Sequence, residues 1–339
     1  MAAEPLIWIL SRGRKGDLDQ MTNLAEATGW PFEVKRLQFR GPEIPVLSSL
    51  LLTNGESVFS GSWPDLVFCA EASASVIALA IKRKSQGRTR AVCIGRPAGA
   101  VRDFDLVITT AQYRIPPAPQ VVELSMPIAA TTETAAGETP DGPLALLVGG
   151  PAFPDRLDAA AATQLAVDTI AHATRRNRLL SVQTSPRTPQ DAVAALARAI
   201  TPPHRLDVFH KGENRYKALL AEASEIVVTS DSVSMVSDAL ASGRPVSVYP
   251  LPRNENLTWQ AGEFLFRHAV EQPSALFAPV KVLFDTGIIE ATADRRRLFH
   301  RLIAEKRLAW FGEAPVPPQP EAMRRDLERA VQSLRALVA

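Results

Sequence analysis

The residues best placed to do chemistry are Thr229-Ser-Asp-Ser-Val-Ser-Met235, which follow a short β-branched run and open an apolar helical pattern. Ser230, Asp231 and Ser232 are residue types that cap helix starts. Val233, Ser234 and Met235 would then place their N–H groups at the positive end of that helix, an arrangement that binds phosphate or sulfate. Gly243 suits the helix stop, and Pro245 prevents continuation before the apolar run at 246–249. An ordinary capped helix explains the same residues, so the anion reading leans on the company they keep.

Similar polar turns recur where other apolar runs end. After the first run comes Ser11-Arg-Gly-Arg-Lys-Gly-Asp17, in which glycines let backbone approach a ligand; Arg14, Lys15, Gly16 and, one turn on, Gln20 stand together there. The G-x-G-x-x-G spacing of a dinucleotide fingerprint is absent. Asp17, and Glu71 after the run at 66–69, are the carboxylates placed to act as a general base on an acceptor hydroxyl, with helix capping the alternative for both. Arg96 follows the run at 91–94 and either orients an anion or sits on a surface turn. Gly149 and Gly150 permit a close turn after 144–148. Thr184, Ser185, Arg187 and Thr188 put hydroxyls and a guanidinium fork suited to a diphosphate at the next strand end. Lys211, Asn214 and Tyr216 follow 206–209 and suit a base or sugar edge. Each turn alone passes as loop filler; their succession at strand ends argues for a site.

Other chemistries find little support. Asp17-Leu-Asp19 and Asp103-Phe-Asp105 have D-x-D spacing, but one starts a helix and the other precedes a strand. The five histidines form no ligand pair, so no metal and no cofactor is expected. Neither a G-x-S-x-G elbow nor a P-loop lysine motif occurs. A net charge of +2 over 339 residues, with few aromatics, argues against a nucleic-acid partner. Hydrophobic content of 46% with 22% charged residues is that of a globular protein. Cys69 and Cys93 lie inside apolar runs and read as buried thiols in a reducing cytoplasm. The chain shows no leader pattern and no run near the roughly 20 apolar residues that span a bilayer. The cytoplasm is the expected location, with peripheral contact at the inner membrane face left open.

The elements that must position these residues alternate. Strand-type runs at 6–10, 32–37, 66–69, 91–94 and 106–109, with helical patterns at 19–28 and 75–84, predict parallel βαβ units. Residues 115–143, rich in proline, threonine, alanine and glycine, read as a linker in which 121–124 is open to strand formation. A second series follows, with strands at 144–148, 179–183, 206–209, 226–228 and 246–249 and helices at 158–175, 189–200, 215–223 and 232–240. The expected fold is α/β, two Rossmann-like doubly wound parallel sheets facing a cleft. Domains are expected at 1–114 and 144–312, with a returning C-terminal helix within 313–339. Ligands of such sheets sit beyond the carboxyl ends of the strands. The basic, apolar stretch 293–311 either packs on a domain or lies on an anionic membrane surface.

These residues resemble the two-domain GT-B glycosyltransferase architecture. In the similar bacterial UDP-N-acetylglucosamine transferase of peptidoglycan synthesis, a Ser/Gly-rich helix start binds diphosphate. There an acidic residue seven positions before a Gly-x-Pro proline holds the ribose; here Asp238 stands seven before Pro245, shorter than the usual Glu. A closer resemblance is to the elongate-mitochondria fission protein family. It is carried by Gly16-Asp17 with Gln20, Pro64-Asp65-Leu66, Phe104-Asp105-Leu106-Val107, Thr184-Ser185-Pro-Arg187-Thr188-Pro189, Gly212-Glu-Asn-Arg-Tyr216 and the Thr229 to Met235 motif. The architecture implies a nucleotide-diphosphate-sugar donor on the second domain and a glycan or lipid-linked acceptor on the first, near Arg14, Lys15, Gly16, Gln20 and Arg96. Metal-independent transfer would then use Asp17 or Glu71 as base. The family implies, as the alternative, a non-catalytic adaptor. A sugar-nucleotide epimerase ranks below both because the dinucleotide fingerprint expected of it is missing.

Overall fold

The computed structural model describes residues 4–40, 51–70, 72–129, 141–209 and 214–339. Two six-stranded sheets carry the fold, and every strand pairing in them is parallel. In the first sheet β1 (Ile7–Ser11), β2 (Phe32–Arg36), β3 (Leu66–Ala70), β4 (Arg90–Ile94), β5 (Leu106–Thr110) and β6 (Val121–Leu124) run in the order β2-β1-β3-β4-β5-β6. The second contains β7 (Leu144–Val148), β8 (Leu180–Thr184), β9 (Arg205–Asp207), β10 (Glu225–Thr229), β11 (Val246–Tyr249) and β12 (Ala309–Trp310), ordered β12-β11-β10-β7-β8-β9.

The apolar runs are strands because both of their faces are covered. Ile7 and Ile9 of β1 join a core with Met21, Leu24, Ala330 and Leu334, whereas Trp8 and Leu10 point the other way into a core with Ile77 and Ile81. The helices Lys15–Thr28 and Pro320–Val338 therefore pack on one face of the first sheet and Ala72–Lys84 on the other. In the second sheet, Leu144, Leu146 and Val148 pack with Leu165 of Ala159–Arg175 and Leu196 of Gln190–Ala199.

The chain divides into one unit of Met1–Ala130, Gln260–Asp294 and Arg324–Ala339, and another of Thr131–Trp259 and Arg295–Met323. Two details differ from the expected boundaries. β6 pairs with β5, so the first sheet continues past residue 114. Gln260–Asp294, expected in the second domain, packs with the first. Arg114 fastens it there: its guanidinium donates to both Glu263 oxygens at 2.6 Å, lies 3.2 Å from Glu271 and stacks 4.1 Å from the centre of the Phe266 ring.

One local expectation also changes. The first helix begins at Lys15 rather than 19, because Gly13 turns the chain at φ +89°; Arg14 stands at its N-cap without a side-chain capping bond, so Asp17 lies within the first turn. In the stretch 293–311, Leu298, Phe299, Leu302 and Leu308 are fully buried, whereas Ile303, Trp310 and Phe311 are partly exposed. Among the described residues no helix is long and apolar enough to cross a membrane.

Candidate functional site

Strand order locates the binding edge of each sheet. In the second sheet the chain runs outward from β7 through β8 and β9 on one side and through β10 to β12 on the other, so the order reverses between β7 and β10. Open α/β sheets bind ligands beyond the carboxyl ends of the strands at such a reversal. Gly149 and Gly150 end β7, Ser230 to Ser232 end β10, and Ser185 to Thr188 end the adjacent β8. Three of the expected polar turns are thus neighbours.

They are also bonded to one another. The Gly149 N–H donates to the Thr229 hydroxyl at 2.9 Å, and the Gly150 N–H to Asp231 Oδ2 at 2.7 Å. The Thr188 hydroxyl donates to the Val148 carbonyl at 3.1 Å and accepts from the Ser185 N–H at 2.9 Å. Glycine is required at this crossing: a Cβ on Gly149 would stand 1.9 Å from Asp231 Oδ2, and one on Gly150 2.2 Å from the Arg187 carbonyl oxygen. Arg187 Nη2 lies 3.5 Å from Asp231 Oδ2. Burial pushes the Asp231 carboxyl up to about 6, against the opposing pull of the Thr229 hydroxyl, the Gly150 N–H and Arg187.

The capping expectation is corrected here. Ser232 occupies the N-cap of the helix Val233–Ala241 but makes no side-chain capping bond; Asp231 turns to Gly150, and the Ser230 hydroxyl accepts from the Leu251 N–H at 3.0 Å. Those side chains brace strand ends instead, which leaves the first-turn N–H groups at Val233, Ser234 and Met235 without intrahelical acceptors. Ser232 and Val233 are buried, Ser234 is exposed and Met235 half-buried, so this positive helix end reaches solvent at Ser234. The arrangement suits a phosphate or diphosphate.

Asp238, later on the same helix, accepts from the Tyr216 hydroxyl at 2.9 Å, and burial beside that carboxylate raises the phenol well above its usual range. Asn214 accepts from the Tyr216 N–H at 3.1 Å. The Thr184 hydroxyl accepts from the Phe209 N–H at 2.9 Å. Lys211 lies outside the described residues, as does Glu71.

In the first unit the order reverses between β1 and β3. A small depression there is lined by Ser11, Arg12, Arg14, Asp17 and Met21 among others. Lys15 pairs with Asp19, and Gln20 donates to the Gly16 carbonyl at 3.4 Å. Arg96, after β4, is two strands from β1 and so about 10 Å from this turn; burial lowers its pKa. Among the described residues no group of three or more His, Cys, Asp and Glu side chains converges to hold a metal.

Two features were not foreseen. Thr229 closes the corner as an acceptor, although only its membership of a serine-rich motif marked it. Arg114 left no signal, since its partners Glu263 and Glu271 are far along the chain.

A family model described as Mitochondrial fission ELM1 matches residues 15–269. No curated protein matches the chain. Solved structures of similar fold include a putative UDP-N-acetylglucosamine 2-epimerase from Listeria monocytogenes, with TM-score 0.50 and 12% identity over 90% of this chain and 96% of that one. An S. aureus MnaA–UDP co-structure has TM-score 0.51 and 12% identity over 99% and 98%. The UDP-GlcNAc 2-epimerase of Methanocaldococcus jannaschii has TM-score 0.51 and 9% identity over 96% and 99%. These likenesses identify the fold as GT-B-like.

Proposed function

The chain belongs to the mitochondrial fission ELM1 family, and from that premise we propose that it is a GT-B-type glycosyltransferase using a nucleotide-diphosphate sugar. The observation that carries the reading is the corner at the β7/β10 reversal, where an open helix start meets Arg187 braced on buried Asp231. Arg187 and the N–H groups at Val233 to Met235 would hold the diphosphate and stabilise charge developing on it as the leaving group, without a metal. Asn214, Tyr216 and Asp238 would meet the nucleoside, with Asp238 reorganising its bond to Tyr216 to reach the ribose. Transfer to a glycan or lipid-linked hydroxyl needs a base, and Asp17 in the depression of the first unit is the candidate with a described position.

The family description favours a second reading, a non-catalytic adaptor that keeps the fold and binds a protein partner or a membrane surface. Exposed Arg297 and the partly exposed Ile303, Trp310 and Phe311 are what 293–311 would offer to a membrane surface in that reading. A thermal-shift screen against UDP-, GDP-, ADP- and CMP-linked sugars, with free nucleotides as controls, separates the two. Selective stabilisation by one donor is expected; a flat response at saturating ligand would leave the adaptor.

A further inference from the structure

The helix Arg295–Ala304 in the second unit begins Arg295-Arg296-Arg297, placing cations at the end where a helix dipole opposes them. Two of these side chains turn inward. Arg295 donates to the carbonyls of Ala152 and Phe153, at 2.9 Å for the latter, and its Nε lies 3.4 Å from Asp155 Oδ2. Arg253, which stacks 4.9 Å from the centre of the Trp259 ring, holds its Nε 4.0 Å from Asp155 Oδ1, beyond hydrogen-bond range. Arg296 is the third guanidinium near enough to act on that carboxylate. The Nε groups of Arg253 and Arg296 are buried and have no hydrogen-bond partner among the described residues.

Asp155 is a buried carboxylate on which all three guanidiniums act, and Asp294, directly before Arg295, keeps a buried Oδ1 without a hydrogen-bond partner among the described residues. Glu255 takes Arg253 Nη1 at 2.8 Å but is 42% exposed, so water screens it. Three guanidiniums thus converge on Asp155, and the Nε donors of two of them stay unused. The side chains of Arg253 and Arg295 each keep 12% of their surface open. The loops involved follow β7 and β11, at the carboxyl edge of the sheet, and are laced together by Arg156 N–H to the Pro252 carbonyl and Asn254 N–H to the Pro154 carbonyl, each at 2.8 Å.

We propose that Arg253, Arg295 and Arg296 form a phosphate-binding site, with Asp155 holding the guanidiniums in place when no anion is bound. The site shares no residue with the Arg187 corner and does not depend on the protein being a transferase. Its phosphate comes either from the nucleotide at the corner or from a different phosphorylated molecule.

Calorimetric titration of the full chain with inorganic pyrophosphate tests this. Arg296→Gln is expected to weaken binding about tenfold, the loss of one charged hydrogen-bonding partner. Asp155→Asn is expected to tighten it severalfold, since the opposing charge is gone while an amide oxygen still receives Arg295. Circular dichroism melts establish that both variants are folded. Pyrophosphate also fits the Arg187 corner, so the titrations are repeated in the Arg187→Ala background, where the binding that remains is expected to respond to Arg296→Gln and Asp155→Asn as stated. The proposal fails if pyrophosphate does not bind, if Arg187→Ala abolishes binding, or if Asp155→Asn weakens it as Arg296→Gln does. Repeating the titration on protein saturated with UDP identifies the source: an additional equivalent of pyrophosphate means a separate phosphorylated molecule, and displacement means the nucleotide's own phosphates. Pyrophosphate binding without any nucleotide response would sink the donor reading and leave this site standing.

Discussion

Arg187 Nη2 lies 3.5 Å from Asp231 Oδ2, and the two differ sharply in exposure: the arginine side chain keeps 52% of its surface open while the aspartate side chain keeps none. A long, flexible cation is thus tethered at one side to an anion that cannot leave the sheet edge. An incoming phosphate meets a donor whose position is already restricted, which lowers the ordering cost of binding.

Replacing Arg187 with alanine removes that donor and is expected to weaken nucleotide binding about tenfold or more. Lysine should restore only part, because it brings a point charge without the planar fork. The concentration dependence of the thermal shift for the best nucleotide reports both. An unchanged midpoint in Arg187→Ala would take this arginine out of the binding site.

Asp231 makes stability depend on pH in a definite direction. Its carboxyl rises to about 6 in the fold, against 3.8 for an ordinary aspartate. Between these values the native chain holds a proton that the unfolded chain has released, so this group's contribution to stability falls as pH rises through that window. Asp231→Asn does not titrate. Its stability relative to wild type should therefore improve by about 2 kcal/mol between pH 4 and pH 7, since the folded and unfolded values lie about 2 apart, each pH unit between them is worth about 1.4 kcal/mol, and part of the effect is already present at pH 4. Urea denaturation of both proteins across that range measures the difference; a constant gap would show that Asp231 titrates normally.

Local patterns made the strands and most helices legible, and with them the GT-B-like fold and the family. Runs such as Leu66 to Cys69 read as strands because both faces are buried, and the Gly243-Arg-Pro245 stop is a matter of neighbouring residues. Asp231 stood out in the sequence as a helix cap, a role that it does not fill. Its actual partner is the Gly150 N–H, 81 positions away, and nothing near Asp231 in sequence announces that. Arg114 and Glu263 are 149 positions apart, so the attachment of Gln260–Asp294 to the first unit was invisible for the same reason. The stretch 293–311 could be read only as packing on a domain or lying on a membrane, because the partner of Arg295, Asp155, precedes it by 140 positions.

Gly150→Ala tests whether the corner depends on close backbone approach. The added Cβ would stand 2.2 Å from a backbone oxygen of Arg187, which cannot swing aside as a side chain would. A loss of about 1–3 kcal/mol is expected. Gly262→Ala is the control: it lies in the helix Leu257–Phe266 with nothing within 4 Å of the new methyl, so it should stabilise by about 0.5–1 kcal/mol. Opposite signs in denaturant melts are the expected outcome, and a neutral Gly150→Ala would refute the tight crossing.

Arg114 should be among the least replaceable residues of the first unit. Its side chain is 5% exposed, both Glu263 oxygens accept from it, and Phe266 covers its face. Alanine there would leave Glu263, 17% exposed, without its cation. Removing one partner of such a buried pair costs about 3–5 kcal/mol. Lysine should recover less than half, since it cannot serve both carboxylate oxygens in one plane while stacking on the ring. If Arg114→Ala is the weaker link by this margin, Glu263→Gln in the same background should restore part of the loss, because the stranded charge is gone. Equal stability of the single and double variants would show that the ion pair does not hold this segment.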